Sequence, residues 1–423
     1  MSRRRTPAED QVADLLRTAK ESLRLPVAFL SRLDGTTQTL EVVESDVPVL
    51  FREKVTQVQA TSLCQRVLDG ELPAVMPDVL AEPAARGLPA TKIPHIRSYL
   101  TVPVHLSDGS LYGTFCAAGL SRRPDLLARD RTLLDVLARA AALIVEPEMR
   151  AQQQRDDVLT RLEPVERAGG PRVLLQPIVD IATGRRVGAE ALSRFPAEWQ
   201  LTPDVVFAQA HGVGRGHHLE LLALQRAAAH LAAVPGYVSM NVSPATLLTP
   251  ELLALLEGMP VERVLLELSE HDAVEDYDAL RAALRPLRRR GMRLAVDDVG
   301  AGFSSLRHIV VTEPDVIKLD RSIVDGVSRE PVLRSLVRSL VDFAAGLGAV
   351  VVAEGVEVAE DAAALHDLRV GYGQGWFWGR AVPADLLDET YATGRDEPVA
   401  AAPAVEPAAL VPQQTRADSP AAV

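Results

Sequence analysis

Cysteine, aromatic side chains and long apolar runs are all scarce in this chain of 423 residues. The two cysteines, Cys64 and Cys116, cannot build a disulfide framework, so a reducing cytoplasmic interior is the expected setting. No stretch approaches the roughly 20 consecutive apolar residues that cross a bilayer as a helix, so no membrane insertion is expected. The start, MSRRRTPAED, is basic, but Pro7, Glu9 and Asp10 stand where a secretory signal needs its apolar segment. Positive charge is in deficit: 45 Lys plus Arg against 57 Asp plus Glu give a net charge of −12. That balance argues against a protein that coats DNA or RNA. It leaves room for an anionic small ligand, because bound cations invert a local field. Aromatic residues at 4% disfavour a glycosidase, in which paired carboxylates flank a sugar held on aromatic platforms.

What remains is ordinary globular composition, 47% hydrophobic and 24% charged, and a length that suits two domains. In residues 1–146, Val12, Leu15, Leu16, Ala19 and Leu23 recur at helical spacing. Strands are expected at 27–33, 39–44, 74–77, 97–106 and 110–118, with turns at Asp34-Gly35 and Ser107-Asp108-Gly109. A helix TSLCQRVLDG closes at Gly70, and a last one carries Leu133, Val136, Leu137, Ala140, Ala141 and Ile144. The pattern is an α+β sheet flanked by helices. With its SLCQRVLDG and SLYGTFCAAG segments it resembles a GAF domain, a small sensor module, which implies an unidentified small-molecule or protein signal. Cys64 on a helix and Cys116 in a strand read as buried packing residues.

Residues 147–170 are polar and helix-prone, with breaks expected at Pro147 and Pro164 and an end at Gly169-Gly170. They read as a helical linker, either a passive spacer or a transmitter. Residues 394–423 are rich in Ala, Pro and Val, lack aromatics, and read as a disordered tail.

From 171 to 393 the character changes. Short β-branched runs at 172–179, 187–192, 237–242, 263–268, 292–297, 315–319, 349–353 and 372–378 alternate with helical stretches such as 218–233, 277–289 and 332–347. Apolar strands alternating with helices mean a parallel sheet covered on both faces, and this many of them mean a (β/α)8 barrel. Active sites of such barrels lie at the carboxyl ends of the strands. Reading those ends gives Glu190, Asn241, Glu267, Asp297-Asp298, Lys318, Glu354 and Gln374. This set of oxygen ligands and one ammonium suits hard divalent cations such as Mg2+ or Mn2+. Four or more carboxylates in one pocket need cations, or proton uptake, to coexist. Neighbours on a strand face opposite ways, so Asp297 and Asp298 share a site only where the chain leaves the strand, a turn that Gly300 and Gly302 permit. Two such aspartates can bridge cations about 3.5–4 Å apart, the arrangement that clamps a phosphoester and activates water. Lys318 could hold that water or stabilise phosphate charge.

The ordered set EALSR (190–194), NVSP (241–244), ELSE (267–270), DDVGAGFSSL (297–306), IKLD (317–320), AEGVE (353–357) and GYGQGWFWG (371–379) resembles the EAL domain family. The resemblance implies an EAL-type TIM-like barrel of the α/β class, with one reversed strand, preceded by the GAF-like domain. It implies hydrolysis of cyclic di-GMP to linear pGpG with Mg2+ or Mn2+, two per site, in a homodimer. Glu190, Asn241, Glu267 and Asp297 would hold the first cation. Asp297, Asp298 and Glu354 would hold the second, with Lys318 on the attacking water. Glu190, Lys318, Glu354 and Asp298 are then the catalytic set, and Gln176, Arg194, Asp320 and Gln374 bind substrate. Glu357 supports the metal–water network together with Gln374, and Glu270 orders the loop after the fifth strand. Val299, Gln209 and Ala381 depart from the family's usual residues without removing a ligand. The competing reading is a receptor that binds cyclic di-GMP without cutting it. For Trp376, Phe377 and Trp378, barrel core and a base-stacking wall both remain open.

Overall fold

A computed structural model describes residues 4–232, 234–269, 274, 276–300 and 306–387. The chain divides into two compact units, Met1–Asp157 and Val158–Val423.

The first unit is an antiparallel sheet of six strands: β1 (Val27–Leu33), β2 (Thr37–Ser45), β3 (Thr56–Val58), β4 (Val75–Met76), β5 (Ser98–His105) and β6 (Leu111–Gly119). Its spatial order is β3-β2-β1-β6-β5-β4. Strand alternation sorts the side chains into two cores. Ala28, Leu30, Phe115 and Ala117 face the helix Pro7–Leu23 and Leu134, Leu137 and Ala141. Val27, Phe29, Cys116 and Ala118 face Phe51, Leu63, Cys64 and Met76. The helix Pro7–Leu23 starts in a capping box, with Glu9 N donating to the Thr6 side chain and Thr6 N to the Glu9 carboxylate.

The expected breaks at Pro147 and Pro164 do not occur: one helix runs Ala128–Arg167. Both prolines lie on its exposed side. Each costs a backbone hydrogen bond, but apolar residues on the other side are buried. Leu134, Leu137 and Ala141 pack in the first unit, and Leu162 and Val165 pack on Val206, Ala210 and Leu219 in the second. The helix ends at Gly169 and Gly170, as expected, both with positive φ.

The second unit is a closed eight-stranded barrel: β7 (Arg172–Asp180), β8 (Arg186–Arg194), β9 (Tyr237–Asn241), β10 (Val264–Ser269), β11 (Arg293–Val299), β12 (Val316–Leu319), β13 (Val350–Ala353) and β14 (Tyr372–Gly373). Strand β7 is antiparallel to both neighbours, β8 and β14, and every other pairing is parallel. The near-continuous apolar strands bury both faces, as in β10, whose Val264 to Leu268 are all buried. Helices such as Pro331–Leu347, capped by Gly348 at positive φ, cover the outside. Among the described residues no helix is long and apolar enough to cross a membrane.

Candidate active site

The parallel register sets the rim. Asn241 lies opposite Glu267, and Ser269 opposite Asp297, so one polar residue after another reaches the carboxyl end of the barrel. Glu190 is the exception to the expected strand-end placement. Strand β8 continues four residues further, to Arg194, because the reversed β7 pairs with it along its full length. Glu190 therefore lies mid-strand, 6% exposed, yet level with the rim through its pairing with Ser239.

Asp297 and Asp298 meet in one site, but not by the expected route. The strand does not end there. It bulges, with a register shift between Val296 and Val299, and Asp298 itself takes positive φ (61°). Asp298 N donates to Asp297 Oδ1 at 2.9 Å, which fixes the kink. Gly300 follows at φ 108°, where an added Cβ would meet Ile323 at 2.7 Å. Gly302 lies outside the described residues, as does Glu270.

Two overlapping carboxylate triads result. Ligand atoms of Glu190, Glu267 and Asp297 lie within 4.8 Å of one another, and so do those of Asp297, Asp298 and Glu354. Lys318, 1% exposed, places Nζ 2.6 Å from Glu354, 2.9 Å from Glu267, 3.1 Å from Asp297 and 3.8 Å from Glu190. Burial works against the ammonium, but these four carboxylates together hold it charged, its pKa well above the ordinary lysine range. Burial likewise pushes up Glu267, Asp297 and Glu354, the last to about 8, with Lys318 pulling each of them back.

The fit to cations rests on groups left over. Glu267 is buried with Oε1 2.9 Å from Lys318 Nζ, and its Oε2 accepts no hydrogen bond. Asn241 Nδ2 donates to Glu190 Oε1 at 3.1 Å, so its carbonyl oxygen is the end left for a cation. Gln374 Nε2 donates to Glu190 Oε2 at 2.5 Å and to Gln176 Oε1 at 3.1 Å, and its own Oε1 is buried without a partner. Orphaned buried acceptors of this kind are costly and match the oxygen-only donor set of Mg2+ or Mn2+.

A pocket of about 360 Å3 opens over the triads, lined by Gln176, Glu190, Asp297, Asp298, Glu354, Glu357 and Gln374 among others. Two further residues, Arg321 and Trp376, line it as well. Arg321 pairs with Glu357 at 2.9 Å in the wall of this pocket. Its only sequence signal is its position directly after IKLD. Trp376 is 54% exposed with the Arg380 guanidinium 4.2 Å over its ring, whereas Phe377 and Trp378 pack on the barrel core. The aromatic run thus divides between rim and core. Arg194 and Asp320 are not among the pocket residues. Arg194 donates to the Ser193 carbonyl at 2.8 Å, and Asp320 caps the helix Arg321–Val324 through Ser322 N.

Glu220 likewise carries no signal in the sequence. It sits on the helix Gly216–Ala228, 7% exposed, and accepts from Ser243 N (3.0 Å) and Ser243 Oγ (2.9 Å) while bonding His211. Ser243 follows Asn241 by two residues and caps the helix Pro244–Leu247. Glu220→Ala strands these donors, and a stability loss of roughly 1–3 kcal/mol is expected by denaturant unfolding; a loss within error would show that the contact does not anchor the loop.

The EAL domain family profile matches residues 161–381, and a GAF domain profile matches residues 6–146. An uncharacterized protein of Mycobacterium tuberculosis is 30% identical over 292 residues, which cover 63% of this chain and 95% of the relative. A manganese and cyclic di-GMP complex of BlrP1 from Klebsiella pneumoniae is 31% identical, covers 50% of this chain and 56% of that one, and has a TM-score of 0.45. The EAL domain of DcpA from Mycobacterium smegmatis is 27% identical, covers 54% of this chain and 98% of that one, with a TM-score of 0.44. The chain thus spans about half the length of BlrP1. The chain belongs to the EAL domain family, with a GAF domain ahead of the barrel.

Proposed function

We propose that the barrel hydrolyses cyclic di-GMP to linear pGpG with two Mg2+ or Mn2+ per site. The observation that carries this reading is the pair of carboxylate triads sharing Asp297 beside a buried lysine. Glu190, Asn241, Glu267 and Asp297 would hold one cation, and Asp297, Asp298 and Glu354 the other. Bound there, the cations would supply Lewis acidity to the phosphodiester and generate the hydroxide that attacks it. Lys318 Nζ, already directed at Glu354 and Asp297, becomes a donor for the water or phosphate oxygens once the carboxylates are neutralised. Gln374 and Asn241 clamp Glu190 by its two oxygens, which fixes that ligand's orientation. Gln176, at the reversed strand, donates to the Gly379 carbonyl at 3.2 Å and would offer its second amide hydrogen to the phosphate, and Glu357 with Arg321 would form the rim. Arg194 and Asp320 would reach substrate only after leaving their present partners.

Residues 1–146 would act as the sensor, 147–170 as the helical linker and 171–393 as the phosphodiesterase of a homodimer, with 394–423 as a tail. The test is the purified full chain with cyclic di-GMP and Mn2+ or Mg2+, followed by chromatography. The expected product is pGpG, lost on chelation with EDTA. Folded protein that yields none with either metal overturns the catalytic reading, and tight binding without product makes the chain a receptor.

A further inference from the structure

The sensor sheet buries a polar constellation that packing alone does not call for. Cys64, from the helix Leu63–Leu68, and Cys116, from β6, are 2% and 0% exposed, and their sulfurs lie 3.5 Å apart. The Tyr99 hydroxyl stands 2.8 Å from Cys64 and 3.2 Å from Cys116. Gln38 Nε2 donates to Cys64 at 2.9 Å. Thr101 Oγ1 lies 3.1 Å from Cys116, whose thiol donates to Thr114 Oγ1 at 3.2 Å. Polar groups are costly in an apolar core unless they satisfy one another, and here they do so around two sulfurs.

We propose that Cys64 and Cys116 form a dithiol–disulfide redox site oxidised by a peroxide. The gap to close is from 3.5 Å to the roughly 2.05 Å of a disulfide. The donors distinguish the two thiols. Burial opposes the Cys64 thiolate, but the Gln38 amide donates to that sulfur at 2.9 Å while the Cys116 thiol directs its one proton to Thr114 Oγ1, and the Cys64 thiol lies below its ordinary range. Burial pushes Cys116 up. Cys64 is therefore the attacking sulfur. Its thiolate displaces hydroxide from the peroxide, breaking the O–O bond and leaving a sulfenic acid. Cys116 then attacks the Cys64 sulfur; the S–S bond forms, the S–O bond breaks, and hydroxide leaves as water with the Cys116 proton. Two thiols are oxidised by two electrons and hydrogen peroxide is reduced to two waters. The peroxide reaches the buried pair through local opening of the short helix Leu63–Leu68.

The experiment treats reduced full-length protein with hydrogen peroxide, then denatures it and counts alkylatable thiols by mass spectrometry. The two thiols are expected to fall to none, to return with dithiothreitol, and to give one Cys64–Cys116 cross-linked peptide. Cys116→Ser is expected to leave Cys64 as a sulfenic acid that dimedone traps, and Cys64→Ser to leave Cys116 unoxidised. Because both positions are in the core, thermal melts check each variant, and the wild-type count stands without them. Two free thiols after a treatment that oxidises glutathione, a cross-link between chains, or sulfinic acid without a cross-link would overturn the proposal.

Discussion

Asp297→Asn is expected to cut turnover of cyclic di-GMP by roughly a thousandfold or more while the protein still melts cooperatively. Asp297 is the one side chain in both triads, so under the proposed two-cation site its loss would remove a charged ligand from both cations at once. Metal-assisted charge stabilisation supplies several kcal/mol; at 1.36 kcal/mol per tenfold, losing about 4 kcal/mol gives a factor near 10^3. Asparagine keeps the volume and can keep the Oδ1 acceptor that takes Asp298 N at 2.9 Å, so the bulge survives. Glu190→Ala should match this loss from one triad alone. The measurement is kcat alongside a thermal melt, and a wild-type rate in either variant contradicts the assignment.

Lys318→Met is expected to destabilise the chelated protein at neutral pH by roughly 3–5 kcal/mol. Lysine 318 lies within 4.0 Å of Glu190, Glu267, Asp297 and Glu354. Methionine fills the space but leaves buried acids facing one another, and removing one partner of a buried ion cluster costs far more than the cluster contributes. Mn2+ should restore much of the loss, since an ion that binds only the folded state stabilises it by mass action. Urea unfolding with and without Mn2+ reads both effects. A loss below about 1 kcal/mol without metal would show that the acids are neutralised by other means.

The barrel was legible because its strands are short, β-branched and apolar on both faces, and because ligands at strand ends recur in a fixed order. Glu267, Asp297, Lys318 and Glu354 converge as that order requires. The local backbone was less legible. Period-two reasoning correctly demanded a break between Asp297 and Asp298, but it assigned the turn to glycines, whereas Asp298 itself carries the positive φ. Glu190 lies mid-strand because β8 runs on past the rim in a long hairpin with the reversed β7, whereas the other barrel strands stop near it. Pro147 and Pro164 were read as breaks by local propensity, which tertiary burial of Leu134 and Leu162 overrides. Glu220 and Arg321 act through partners distant in sequence, Ser243 and Glu357, so neither has a local signature. In the sensor, Cys64 and Cys116 are buried as expected, but their proximity depends on how the helix Leu63–Leu68 packs on β6, which spacing does not encode.

The most direct measurement of the two-cation site is a Mn2+ titration followed by electron paramagnetic resonance, on the wild type and on Asp297→Asn. The account predicts two ions per wild-type chain with a spin-coupled spectrum, and loss of that coupling in the variant because the shared carboxylate is gone. Uncoupled ions in the wild type, or the same stoichiometry and coupling without Asp297, would contradict it.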